Sequence, residues 1–156
     1  MKKIKLLYRL LIIINVLTLV LIGVQTFGLV IPDFFGSKVS SDSILGKFNN
    51  LLLTALLGII LVGSFKIQHG VNYIIKEGFF NNTSEIKFRV AGKIFILFAI
   101  FRIIYIIISI EDVNLNELIN SSVLAFLVIL VGLGLLIFSD FIKNGGVLKQ
   151  ENDLTI

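Results

Sequence analysis

The chain has 156 residues, 56% of them hydrophobic, and a mean hydropathy of +1.01, too apolar for a soluble domain that hides its greasy surface. The formal charge of +4 is carried at the ends of apolar runs and not on a separate polar module, which argues against nucleic-acid binding. Cysteine is absent, which excludes disulfides, thiolate nucleophiles, cysteine-ligated metals and thiol redox chemistry.

Four runs, at residues 10–32, 48–65, 94–110 and 118–139, approach or exceed the roughly 18 to 20 apolar residues that carry a helix across a ~30 Å hydrocarbon core. The expected fold is all-α, an integral membrane four-helix bundle forming one domain. Its spans are placed at 8–31, 47–66, 92–110 and 118–139, with a hairpin at 67–91 and a tail at 140–156.

Lys2, Lys3, Lys5 and Arg9 open the chain in the manner of a signal peptide. The apolar stretch after them exceeds an h-region of roughly 7 to 15 residues, and no alanine precedes Ala55 to build a small-x-small cleavage site. The first run is therefore read as a retained span, ended by Pro32. Asp33, Gly36 and several serines follow in a connecting loop.

The second run gives way to mixed polarity at Lys66, while helical spacing continues through Val71, Ile74 and Ile75 to Gly78, a C′ stop. This helix is thus longer than the bilayer is thick. Asn82, with Glu85 three positions on, reads as the N-cap and capping box of the next helix. The third span contains Arg102 near its middle, at a cost of ~2.5 to 3.5 kcal/mol that a run rich in Ile and Phe offsets. In the fourth, Ala125, Gly132 and Ser139 recur every seven residues as a small-residue stripe for close helix packing, and Gly58 and Gly63 do the same for the second. Gly145-Gly146 reads as the stop of the last helix, followed by a polar tip of Glu151, Asn152, Asp153 and Thr155.

With the N-terminus inside, eleven basic residues (Lys2, Lys3, Lys5, Arg9, Lys66, Lys76, Lys87, Arg89, Lys93, Lys143 and Lys149) fall in cytoplasmic segments, against Lys38 and Lys47 outside. Both termini and the long hairpin are therefore expected in the cytoplasm. The loop holding Glu111, Asp112 and Glu117 is expected on the other side.

Asn15, Thr18 and Gln25 share one face of the first span, and Arg102, Tyr105 and Ser109 one face of the third. Counted from the inner ends of their spans, Asn15 and Arg102 lie ~12 to 14 Å deep at ~1.5 Å per residue. A polar seam is expected in which Arg102 donates to the Asn15 side-chain carbonyl, assisted by Tyr105 or Thr18. Such a seam is either a latch fixing which helix faces meet or an anion, ligand or water site.

No Asp or Glu falls inside a span, which speaks against proton-coupled transport, and no phosphate-binding glycine loop, G-x-S-x-G elbow or H-E-x-x-H pair occurs. The single histidine, His69, has no ligand partner at metal spacing and reads as solvated. The triplets at Asn81, Asn82 and Asn120 carry no weight as glycosylation sites. No enzyme, metal or cofactor is expected.

The ending, Ser139-Asp140-Phe141-Ile142-Lys143-Asn144-Gly145-Gly146 and then Glu151-Asn152-Asp153-Leu154-Thr155, resembles the bacterial membrane family designated domain of unknown function 2975. Its members close with Phe-x-x-Gly and a Glu-Asn/Gln-Asp-Leu-Thr terminus. Ile75-Lys76-Glu77-Gly78-Phe79-Phe80 and Ala91-Gly92-Lys93 look like the same family's central hairpin, so the resemblance covers about residues 50–156. It implies four membrane helices in a bacterial inner membrane and a gene often adjoining one for a small helix-turn-helix regulator; it transfers no catalytic residue. The tail is expected either to fray or to dock on the hairpin around Gly78 and Phe80, or on a regulator. Two functions follow: a regulatory or sensor subunit holding a cytoplasmic partner such as a DNA-binding regulator, or a small transporter or tolerance factor binding an amphiphile along the Arg102 stripe, with an oligomer compatible with either.

Overall fold

A computed structural model of the chain describes residues 2–30, 44–108 and 115–154. They form four helices: α1 (Lys2–Val30), α2 (Ile44–Glu77), α3 (Asn82–Ile108) and α4 (Leu115–Leu154). Each holds a stretch long and apolar enough to cross a membrane. At ~1.5 Å per residue, the 34 residues of α2 and the 40 of α4 extend ~51 and ~60 Å, well beyond a ~30 Å hydrocarbon core.

Gly78 ends α2 with φ +92°, a conformation that strains any side-chain-bearing residue, and its N–H bonds back to the Ile74 carbonyl at 3.1 Å. The stop expected there is present. The cap of α3 is one residue earlier than expected. Asn81 accepts the Ser84 N–H at 2.7 Å and donates to the Gly78 carbonyl at 2.6 Å, so Asn81, and not Asn82, closes the turn from both sides.

Consecutive helices are antiparallel neighbours. Gly70 of α2 lies under the Phe88 ring and Gly63 under Phe95, while Gly92 of α3 meets Gly132 of α4. Seven residues from that crossing, Ser139 bonds Glu85; seven the other way, Ala99 and Ala125 are both fully buried. The Ala125, Gly132 and Ser139 stripe is therefore the seam on which α4 meets α3, at a seven-residue step. Gly58 meets nothing within 4 Å.

Among the described residues, backbones approach within 8 Å only between α1 and α2, α2 and α3, and α3 and α4. Little of α1 is buried: Leu11 and Asn15 are, and Ile4 and Tyr8 partly so, on a stripe at steps of four, three and four. Side chains of all four helices nevertheless converge at one end, where Leu11, Val71, Ile74, Phe88 and Ile142 form a single apolar cluster. Antiparallel packing brings to that end the start of α1, the end of α2, the start of α3 and the end of α4, and with them the eleven basic residues counted above. Lys47 and Arg102 lie toward the opposite end.

The helix stop expected at Gly145-Gly146 is not there: α4 runs through both glycines to Leu154. A Cβ at Gly145 would overlap the Phe80 ring, so this glycine serves helix packing and not termination.

Candidate functional site

A polar cluster lies at the basic end, where α2, α3 and α4 meet. The Ser84 hydroxyl donates to the Gly70 carbonyl at 2.9 Å, and the Ser139 hydroxyl donates to the Glu85 carbonyl at 3.1 Å, both buried. Glu85 is only 4% exposed. A carboxylate removed from water needs a cation and hydrogen-bond donors to remain charged. Arg89, one turn along, supplies the cation with Nη2 2.8 Å from Glu85 Oε1, and the same nitrogen lies 2.9 Å from Asp140 Oδ1 on α4. Ser139 Oγ adds a longer contact of 3.5 Å to Glu85 Oε1. One arginine thus bridges two helices above a buried acid. Sequence reading had Glu85 as a capping residue and Arg89 as a topology signal; the i,i+4 spacing of the two was the available clue.

Beside this clasp, between the α2–α3 turn and α4, runs a groove of about 460 Å³ lined by Phe80, Asn82, Glu85, Lys143, Val147 and Gln150, among others. Phe79 supports its floor, edge-on to Phe80, Phe138 and Phe141 with ring centroids 5.4 to 6.2 Å apart. The tail residues are helical and lie alongside Phe80, with Glu151 and Asn152 exposed beyond the groove. The Asp153 side chain and Thr155 lie outside the described residues.

The seam expected between α1 and α3 is not formed, because the α1 backbone packs on α2 and makes no close approach to α3, and Asn15 bonds Gln68 of α2. Asn15, 2% exposed, donates its Nδ2 hydrogen to Gln68 Oε1 on α2, and its own Oδ1 is buried without a partner. Thr18 bonds the Ile14 carbonyl of its own helix at 2.8 Å, and Gln25 is half-buried farther along α1. Arg102 follows Phe88 and Phe95 at steps of seven on the face of α3 that meets α2. It is half-buried, and its Nε is covered and makes no hydrogen bond. Tyr105 is half-buried one turn on, and Ser109 lies outside the described residues. Helix periodicity puts Asn15 with Thr18 and Arg102 with Tyr105 on shared faces but does not say which helix each face meets.

His69 is exposed, and among the described residues no group of three or more His, Cys, Asp or Glu is placed to hold a metal ion. Comparison with protein families, with curated proteins and with solved structures finds no match to this chain. What the molecule itself defines is a class: an all-α protein with four candidate membrane spans, hence a multi-pass membrane protein compatible with a four-helix bundle.

Proposed function

We propose that the chain is a regulatory or partner-binding subunit of a bacterial inner membrane, with both termini and the α2–α3 turn in the cytoplasm. The sidedness rests on the gathering of eleven basic residues at one end, the end that the positive-inside rule retains in the cytoplasm. The observation that carries the partner reading is the groove beside Phe80. Helices longer than the bilayer project from it, the Glu85–Arg89–Asp140 clasp stiffens the projection, and a groove with an aromatic floor and polar rim opens on it. A surface of this kind suits a segment of a soluble protein, with large side chains anchoring in the groove and the rim fixing orientation. A small DNA-binding regulator is the partner suggested by the resemblance of the tail to the membrane family named above. No catalytic role is proposed.

The test is photocrosslinking in intact cells from a photoactivatable residue placed at Asn82 and, separately, at Val147. The proposal expects the same soluble protein at both positions, with the Asn82 crosslink lost when residues 147–156 are deleted from a chain that still inserts. Crosslinks to lipid or to the chain itself at both positions would contradict it. The transporter or tolerance-factor reading is favoured by one observation, the unpartnered Nε of Arg102, and requires amphiphile uptake that fails in Arg102→Ala.

A further inference from the structure

Arg102 poses a charge problem that the described residues of the bundle do not solve. An arginine side chain stays protonated in any protein environment, so neutralising it by proton loss is not open to it. It stands in a candidate span, half-buried, on the α2-facing stripe it shares with Phe88 and Phe95. Its Nε is covered, and it forms no hydrogen bond or ion pair among the described residues. The runs at 10–32, 48–65, 94–110 and 118–139 contain no Asp or Glu, so a second copy of the chain brings no counter-charge from a span either. A buried cation without an anion is costly, and intramembrane cations are found paired or facing a polar ligand.

Position supplies the remaining constraint. Arg102 lies six residues before Ile108, the last residue of α3, which is ~9 Å from the end away from the basic cluster at ~1.5 Å per residue. A long side chain at that depth reaches toward the headgroup layer by snorkelling. The planar guanidinium fork matches an oxyanion with two hydrogen bonds at once, and phosphate is the oxyanion concentrated in the headgroup layer it reaches toward.

We propose that Arg102 is an oxyanion anchor in the membrane-spanning part of the bundle, binding the phosphate of a lipid or lipid-like amphiphile against α2 and α3. The site is independent of the groove at the opposite end and of any soluble partner.

The experiment uses the full chain in phosphatidylglycerol vesicles doped with a phosphatidylglycerol analogue carrying a headgroup diazirine, with adducts mapped by mass spectrometry. Adducts are expected on residues 98–106, in addition to any at the basic end. Arg102→Gln lowers the 98–106 yield about tenfold and leaves the basic-end yield unchanged, a loss of the size of one charge-assisted pair. A diacylglycerol analogue with the same diazirine and no phosphate labels 98–106 about tenfold less in the wild-type chain, a comparison that needs no variant to fold. Excess inorganic phosphate that competes away the 98–106 adducts identifies a free oxyanion as an occupant, and failure to compete identifies the lipid; both support the anchor. Wild-type adducts confined to the basic end, equal labelling by the two analogues, or equal labelling of Arg102→Gln and wild type would each overturn it.

Discussion

Replacing Gly92 by alanine strikes the closest approach of α3 and α4. A Cβ at Gly92 would lie 2.7 Å from the Gly132 carbonyl oxygen and 3.0 Å from Leu136 Cδ2. Carbon–oxygen contacts across packed helices sit near ~3.3 Å, so the helices must part by roughly 0.6 Å. The obstacle is backbone, which no rotamer change removes. A gap of this size forfeits a quarter or more of each dispersion contact along the seam, and overpacking of this kind costs about 1 to 3 kcal/mol. Alanine returns up to about 1 kcal/mol in helix propensity, leaving a net loss of about 0 to 2 kcal/mol, a deficit of about 1 to 3 kcal/mol against a site with room for the methyl group. Gly134, two positions from Gly132, is the internal control: nothing lies within 4 Å of a Cβ there, so Gly134→Ala is expected to be neutral or slightly stabilising. Reversible unfolding by SDS titration in mixed micelles, followed by circular dichroism, measures both. A Gly92→Ala protein as stable as Gly134→Ala would refute the close-packed seam.

Further outcomes follow from the same contacts. Arg89→Gln, which strips the cation from a buried Glu85, is expected to cost about 1 to 3 kcal/mol, whereas Asp140→Asn, at a side chain 65% exposed, stays within about 0.5 kcal/mol; thermal unfolding in detergent compares them. A double-mutant cycle between Asn15→Ala and Gln68→Ala should show a coupling of about 0.6 kcal/mol, and one between Asn15→Ala and Arg102→Ala none; the reverse order would restore the α1–α3 seam. Gly145→Ala displaces the Phe80 ring, so crosslinking from Asn82 should change while helix content by circular dichroism does not.

Much of the architecture was legible because bilayer physics is blunt: four long apolar helices, the Gly78 stop and the Ala125, Gly132 and Ser139 stripe all follow from periodicity and local backbone chemistry. What periodicity lacks is the identity of the neighbour. Asn15 was correctly placed on the inward stripe of its helix, yet its partner is Gln68, which sits just past an apolar run and reads locally as ordinary hairpin polarity. Gly145 shows the same ambiguity in another form, since a glycine that ends a helix and one that admits a ring look alike until Phe80 is brought beside it from 65 residues away. The clasp was hidden for a third reason: Glu85 and Arg89 each had a sufficient local explanation, and Asp140 joins them only through the α3–α4 register.

The basic ends of all four helices lie together, and the proposed function requires that end to face the cytoplasm. The native chain has no cysteine, so single cysteines report without a background. In intact spheroplasts, a membrane-impermeant maleimide should label Lys38→Cys and spare Lys3→Cys, Asn82→Cys and Lys149→Cys, all three becoming reactive on permeabilisation. Labelling of any of those three in intact spheroplasts, with Lys38→Cys protected, would contradict the account.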